Sequence, residues 1–314
     1  MVKIFDYIFL MRPTLWVPVW VFYLAGFYRG GGNAQWLPSA SLGTAFVLYT
    51  ILMSGIYVLN QIIDIESDRI NKKLFLLPEG YVKVSHAWIE VLVLFALAWI
   101  LAIPFSKEFK IILLLSMVFG ILYSVPPFKL KGRPIFDLFS NSLGYGVIAF
   151  SLGWVTTAPF SGLTLIYSLP YFFAMGAVFI NTTIPDIEGD KKAGEITTGV
   201  LLGPCRASIV SAIFIFIALV LSVLLGDWLC GIASLGALPF FIRVAMLRLL
   251  RRSAPRNDSC RACILSIKIG ILAIVVLVSI KFLWLIPLII LLFFAMRLYY
   301  KHRFNIIYPR FNGI

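Results

Sequence analysis

Ten apolar runs, each long enough to cross a bilayer as a helix, leave this chain few ways to fold. They fall near residues 14–29, 40–63, 86–105, 110–127, 136–157, 162–184, 206–226, 228–248, 262–280 and 282–300. A hydrocarbon layer about 30 Å thick takes about 20 helical residues per crossing. The runs are continuous, without the alternation of an outer-membrane barrel. Apolar residues make up 61% of the chain and charged residues 13%, against about 25% charged in a soluble domain. That leaves too little polar surface for a water-facing globule and too much apolar surface for a disordered chain. The expectation is an all-α, polytopic membrane helical bundle, with residues 1–314 forming a single domain. The first run is long and no A-x-A pattern follows it, so it is expected to stay as a span.

The net charge of +13 is explained by where the basic residues fall. With the N-terminus in the cytoplasm and ten crossings, only Arg29, Lys107, Lys110 and Lys281 of the 27 Lys and Arg lie on the far side. The other 23 lie in or beside the cytoplasmic loops, as the positive-inside rule demands. The charge is therefore read as an orientation signal, with no nucleic acid implied. Of the four cysteines, only Cys260 and Cys263 are close in sequence, with no second pair and no nearby histidine. Reduced thiols are expected, not a zinc site. The two histidines, His86 and His302, have no metal-like partner at helical spacing.

The acidic residues are concentrated. Six of the 14 occupy two windows: Asp64, Glu66 and Asp68 at the end of the second run, and Asp186, Glu188 and Asp190 at the end of the sixth. The windows read Asp-Ile-Glu-Ser-Asp-Arg and Asp-Ile-Glu-Gly-Asp-Lys. Each follows an asparagine, Asn60 or Asn181, and each precedes a lysine pair, Lys72-Lys73 or Lys191-Lys192. This repetition suggests two related halves. Residues at i and i+4 share a helix face, so Asn60, Asp64 and Asp68 form one polar stripe, and Asp186 and Asp190 a second. Pro185 and Gly189 predict a broken or restarted helix in the second window. Carboxylates at this depth are costly unless paired or metal-bound. An all-oxygen donor set without histidine or thiol points to Mg²⁺, which is normally held by one or two carboxylates plus substrate phosphates. Two such windows with adjoining lysines read as a diphosphate site.

These residues resemble the two aspartate-rich motifs of the UbiA family of intramembrane prenyltransferases: Asn60-x3-Asp64-x3-Asp68 and Asp186-x3-Asp190. Tyr123-Ser124-Val125-Pro126-Pro127-Phe128-Lys129 is similar to the family's stretch between the motifs, and Arg12-Pro13 to its opening. The resemblance covers about residues 10–280. It implies a bundle of nine to ten helices around a central cavity, and Mg²⁺-dependent transfer of a polyprenyl group from its diphosphate to a lipophilic or aromatic acceptor. It further implies that Asn60, Asp64, Asp68, Asp186 and Asp190 hold Mg²⁺ and through it the diphosphate. Lys129, Lys72, Lys191 and Arg12 would contact phosphate or acceptor, and Tyr123 would lie near the reacting allylic carbon. Phe119, Tyr145, Tyr167, Tyr171 and Phe172 add aromatic faces in the adjoining runs, and such faces stabilise an allylic cation.

The chain departs from the family in two places. Many members carry Arg-Pro-(Leu/Ile)-Pro-x-Gly after the first motif; here Leu74 to Gly80 contains no arginine. The family usually has nine spans; residues 282–314 add a tenth run and a basic tail, expected to act as a membrane anchor. Asp137 is placed where a helix N-terminus favours an acid. Asn60-Gln61 and the second motif resemble the branch of homogentisate prenyltransferases and chlorophyll synthases, with quinone- or tocopherol-type, chlorophyllide-type and other lipid acceptors all open. The alternative reading is a secondary transporter, which also carries intramembrane acids and repeated halves. In transporters those acids lie at the midplane, whereas here they close the spans on one face beside lysines.

Overall fold

In a bilayer each backbone N–H and C=O has to be satisfied within the protein, so apolar runs of this length become helices. The computed structural model describes residues 4–33, 37–71, 74–192, 194–250 and 256–308, and among these it contains helices and no strand. The helices are α1 (Ile4–Leu10), α2 (Trp16–Arg29), α3 (Ala40–Ile63), α4 (Ile65–Asn71), α5 (Val84–Leu101), α6 (Lys107–Ser124) and α7 (Phe136–Asn141). A π-helical segment (Ser142–Ala149) leads into α8 (Phe150–Trp154). Then follow α9 (Gly162–Lys192), α10 (Thr198–Leu224), α11 (Trp228–Leu250), α12 (Arg256–Lys281) and α13 (Leu285–Phe304). Local sequence sets several starts. Ser39 accepts from the Leu42 amide at 3.2 Å, Ser106 from Phe109 at 3.2 Å and Thr197 from Val200 at 3.4 Å, each satisfying an orphan donor of a first turn.

Eight helices among the described residues are long and apolar enough to cross a membrane. The two expected runs that fall short do so for visible reasons. Helix α6 opens on Lys107, Glu108 and Lys110, and the run at 136–157 is divided into α7, the π segment and α8. Glycines account for the tight packing of that divided run. A Cβ on Gly146 would lie 2.5 Å from the Phe172 Cα, and one on Gly153 would lie 1.8 Å from the Tyr23 carbonyl oxygen. Reciprocally, a Cβ on Gly26 of α2 would lie 1.8 Å from the Phe150 carbonyl. Backbone lies directly on backbone, the small-residue mode of membrane helix packing.

The chain divides into two compact units. The first contains residues up to Trp20, the second run through to Val125, and residues from Ser279 onward; the second contains Val21–Asn33 and Pro126–Val278. The first acidic window thus belongs to one unit and the second to the other. In the first unit, Phe9, Leu10, Val58, Leu59, Leu76, Leu77, Met296 and Tyr299 share one buried core. The run at 282–300, expected as an anchor, thus also contributes to a core. Tyr299 of α13 stacks on Phe9 with ring centroids 3.7 Å apart, and its hydroxyl donates to buried Asp6 at 2.6 Å. Arg303 donates twice to the same carboxylate, each at 3.2 Å. The last helix is part of the core under the loop that follows the first acidic window.

In the second unit an ionic clasp joins the end of α2 to the turn between α10 and α11. Asp227 is buried and accepts from the Cys230 amide and the Tyr171 hydroxyl, both at 3.1 Å. Arg29 lies 3.6 Å from it, donates to the Leu225 and Gly226 carbonyls, and stacks 4.2 Å from the Tyr167 ring centroid. Burial pushes the Asp227 carboxyl above its ordinary pKa, and the Cys230 amide and Arg29 oppose that rise. Removing the cation leaves a buried charge without its counterion, and such losses cost about 3–5 kcal/mol. Arg29→Met is therefore expected to lower the melting temperature of the detergent-purified protein. Gly153→Val, which overpacks the α2–α8 contact, is expected to destabilise by at least the ~1–3 kcal/mol typical of overpacking. Thermal unfolding checks both.

Candidate functional site

The first acidic window is built where α3 ends. Asp64 is the C-cap of α3 with φ −96° and ψ 6°, and the chain restarts at once as α4. The helical register persists across the break: the Asp64 amide donates to the Asn60 carbonyl at 3.0 Å and the Asp68 amide to the Asp64 carbonyl at 2.8 Å. The expected stripe of Asn60, Asp64 and Asp68 is therefore present, bent at Asp64. Asp64 is half-buried and Asp68 is buried. The Asn60 side-chain amide donates to the Ser124 hydroxyl at 3.0 Å. That contact orients Asn60 from the end of α6, directly after Tyr123. Arg69 pairs with Glu66 at 2.7 Å and donates to the Pro78 carbonyl at 3.2 Å, closing the loop after the window. A cavity of about 700 Å³ lies against this loop, lined by Asp68, Arg69, Phe75, Tyr81, His302 and Arg303 among others. Lys72 lies outside the described residues.

The second window differs from its expectation. Helix α9 runs unbroken from Gly162 to Lys192 through Pro170 and Pro185. In the turn before Pro185 the Thr182 hydroxyl donates to the Phe179 carbonyl at 2.6 Å and the Thr183 hydroxyl to the Ile180 carbonyl at 2.8 Å. Asp186 and Asp190 consequently fall on one helix face, Asp186 exposed and Asp190 half-buried, with Lys191 exposed one residue on. Asn181, buried in the same helix, donates its side-chain amide to Ser266 at 2.9 Å. Ser266 in turn donates to the Cys263 carbonyl at 2.7 Å. Because that serine's proton is used, it can only accept from Asn181, which fixes the orientation of the amide.

Behind the second window stands a network that helical spacing alone does not reveal. The Thr197 hydroxyl donates to the Asp190 carboxylate at 3.0 Å. The next residue, Thr198, donates both its amide (2.8 Å) and its hydroxyl to Asp137, which also accepts from the Leu138 amide at 2.7 Å. Asp137 is fully buried. It therefore clasps the start of α10 in addition to occupying the first turn of α7. Lys129 pairs with Glu195 at 3.0 Å, and the Glu195 amide donates to the Asp190 carbonyl at 2.9 Å. The one signal of this network in the sequence is the Thr-Thr pair closely following the second motif, a helix-capping pattern.

Arg12 and Lys129 share a further property. Both are non-glycine residues in left-handed backbone, at φ 54° and φ 38°. Such conformations cost of order 1–3 kcal/mol and gather at functional sites. Arg12 stands at the break between α1 and α2, ahead of the Pro13–Leu15 turn. Lys129 stands ahead of the Leu130–Gly132 turn. Tyr123 is half-buried in the last turn of α6. Two of the candidate aromatics are committed elsewhere. Tyr167 and Tyr171 belong to the Arg29–Asp227 clasp, and Tyr171 lies 15 residues before Asp186 on α9, roughly 22 Å at the helical rise.

The donor set is chemically suited to a hard cation. It consists of carboxylates and one oriented amide, without thiol or imidazole, and oxygen ligands of this kind suit Mg²⁺. Among the described residues no three His, Cys, Asp or Glu side chains form a ready-made metal group.

The family model described as the UbiA prenyltransferase family matches residues 15–267. The chain belongs to that family. Among curated relatives of this UbiA chain is the 2-acyl-4-prenylphloroglucinol 6-prenyltransferase of Humulus lupulus, 32% identical over 50% of this chain and 41% of that protein. Another is the digeranylgeranylglyceryl phosphate synthase of Sulfurisphaera tokodaii, 33% identical over 57% of this chain and 63% of that protein. The chain thus spans from two fifths to somewhat under two thirds of these relatives. The solved structure of a UbiA homolog from Archaeoglobus fulgidus bound to GPP and Mg²⁺ superposes with a TM-score of 0.65 at 22% identity, covering 87% of this chain and 99% of that one. It establishes a common fold. The protein is an integral, multi-pass membrane protein of the UbiA family.

The buried clasp at Asp137 carries a direct prediction. Asp137→Ala strands the Thr198 amide in a buried place and leaves its hydroxyl only the Ile135 amide, and an unsatisfied group costs about 1–3 kcal/mol. A marked fall in melting temperature is expected. Asp137→Asn, which keeps one acceptor, should fall less.

Proposed function

We propose that this chain is an Mg²⁺-dependent prenyltransferase that moves a polyprenyl group from its diphosphate to a lipophilic or aromatic acceptor, acting as one membrane domain. The observation that carries the reading is the pair of matched acidic windows, each at a helix end, each with its side chains held by neighbouring hydroxyls. Family membership and the relatives' activities support it. The distribution of basic residues supports an orientation with the N-terminus and both windows on the cytoplasmic side.

Asn60, Asp64, Asp68, Asp186 and Asp190 would hold the metal, which when bound offsets the charge developing on the departing diphosphate. Lys129, Lys191, Lys72 and Arg12 bind phosphate oxygens. The backbone strain at Arg12 and Lys129 supports a functional use of these two side chains. Ionisation leaves positive charge on the allyl fragment, and the Tyr123 ring face stabilises it. The acceptor carbon then bonds to the allyl carbon and gives up its proton, while exclusion of water prevents hydrolysis of the cation. A lipophilic donor and acceptor reach such a site from the bilayer itself.

Asp64→Ala and Asp186→Ala should each reduce prenyl transfer by several orders of magnitude, with unchanged membrane insertion and melting behaviour. The assay uses labelled geranylgeranyl diphosphate and a panel of phenolic and glycerol-phosphate lipid acceptors. Full activity in either variant would overturn the reading.

A further inference from the structure

Lys129 and Glu195 meet across a loop that also governs the second acidic window. Their ion pair is 3.0 Å long, with Lys129 38% and Glu195 31% exposed at the side chain. Lys129 is aimed by its left-handed backbone. Glu195 is placed by the turn at Gly194, where φ is +74°, and by its amide bond to the Asp190 carbonyl at 2.9 Å. Two residues further on, Thr197 holds the Asp190 carboxylate. One short segment therefore grips both the ammonium of Lys129 and the carboxylate of Asp190.

We propose that Glu195 is a positioning residue that competes with diphosphate for Lys129. With the site empty, the Glu195 carboxylate occupies one of the three ammonium protons and keeps the side chain pointed. When diphosphate binds, the lysine turns its charge to the phosphate oxygens, and Glu195 stands as a nearby negative charge that weakens the hold. When inorganic pyrophosphate leaves, Glu195 recovers the lysine. Half-exposed ion pairs of this kind are weak, so the carboxylate biases binding and release without blocking either. The inference rests on the phosphate-contact role of Lys129 proposed above.

The test is calorimetric titration of inorganic pyrophosphate with Mg²⁺ into the detergent-purified protein, with no prenyl donor or acceptor present. Glu195→Gln, an isosteric change, should tighten binding about two- to five-fold, the range that weak exposed pairs support. Glu195→Asp, which lengthens the pair by one methylene, should tighten it less and guards against loss of fold in the first variant. In a Lys129→Met background, Glu195→Gln should have no effect, because the competitor has lost its object. A residue that merely ordered the loop would weaken binding when replaced. Unchanged or weaker binding in both Glu195 variants, with Lys129→Met still weakening it, overturns the inference alone. Unchanged binding in Lys129→Met removes the phosphate role of Lys129 and the inference with it.

Discussion

The cost of placing carboxylates against an apolar bundle governs where this protein can do chemistry. A charge inside the hydrocarbon layer is penalised by several kcal/mol, so a buried acid gains from donors or cations placed around it. Of the 14 acidic residues, three buried ones have such partners. Asp227 takes an amide, a phenol and Arg29. Asp6 takes Tyr299 and Arg303. Asp137 takes Thr198 and the Leu138 amide. These three tie helices together. The two acidic windows are different in kind: they sit at helix ends, with Asp64 half-buried and Asp186 exposed, within reach of a ligand.

In the second unit the buried Asp137 and the second acidic window are linked by hydrogen bonds. Asp137 fixes Thr198, Thr198 adjoins Thr197, Thr197 holds Asp190, and the Asp190 carbonyl receives the amide of Glu195, which pairs with Lys129. A proposed metal ligand and a proposed phosphate ligand are thus set by one chain of hydrogen bonds anchored on a fully buried acid. In the first unit Ser124 orients Asn60, and the first motif depends in the same way on the stretch that carries Tyr123. Each window borrows its geometry from a residue far away in sequence.

Much of this architecture is legible in the amino-acid sequence. Long apolar runs predict spans because the bilayer leaves the backbone no other means of satisfying itself, and among the described residues helices of the required length and hydropathy stand at eight of the ten runs. The stripe of Asn60, Asp64 and Asp68 follows from helical spacing alone. Spacing does not supply partners 60 to 300 residues away, such as Ser124 for Asn60, Thr198 for Asp137 and Asp6 for Arg303. Local rules also mislead at Pro185, where they predict a break and α9 continues to Lys192. The last helix reads as an anchor because its run is predominantly apolar. Its end belongs to the core through Tyr299 and Arg303, two side chains whose role depends on Asp6 at the opposite end of the chain.

Everything proposed for this site turns on whether the acidic windows hold a diphosphate through a divalent cation. The most direct measurement is equilibrium binding of geranylgeranyl diphosphate to the folded, detergent-purified protein, with Mg²⁺ present and after its removal by chelation. Saturable binding that disappears with the metal and returns when Mg²⁺ is restored is the expected result. Binding indifferent to chelation, or no binding by shorter, equal or longer donors to protein that is demonstrably folded, would contradict it.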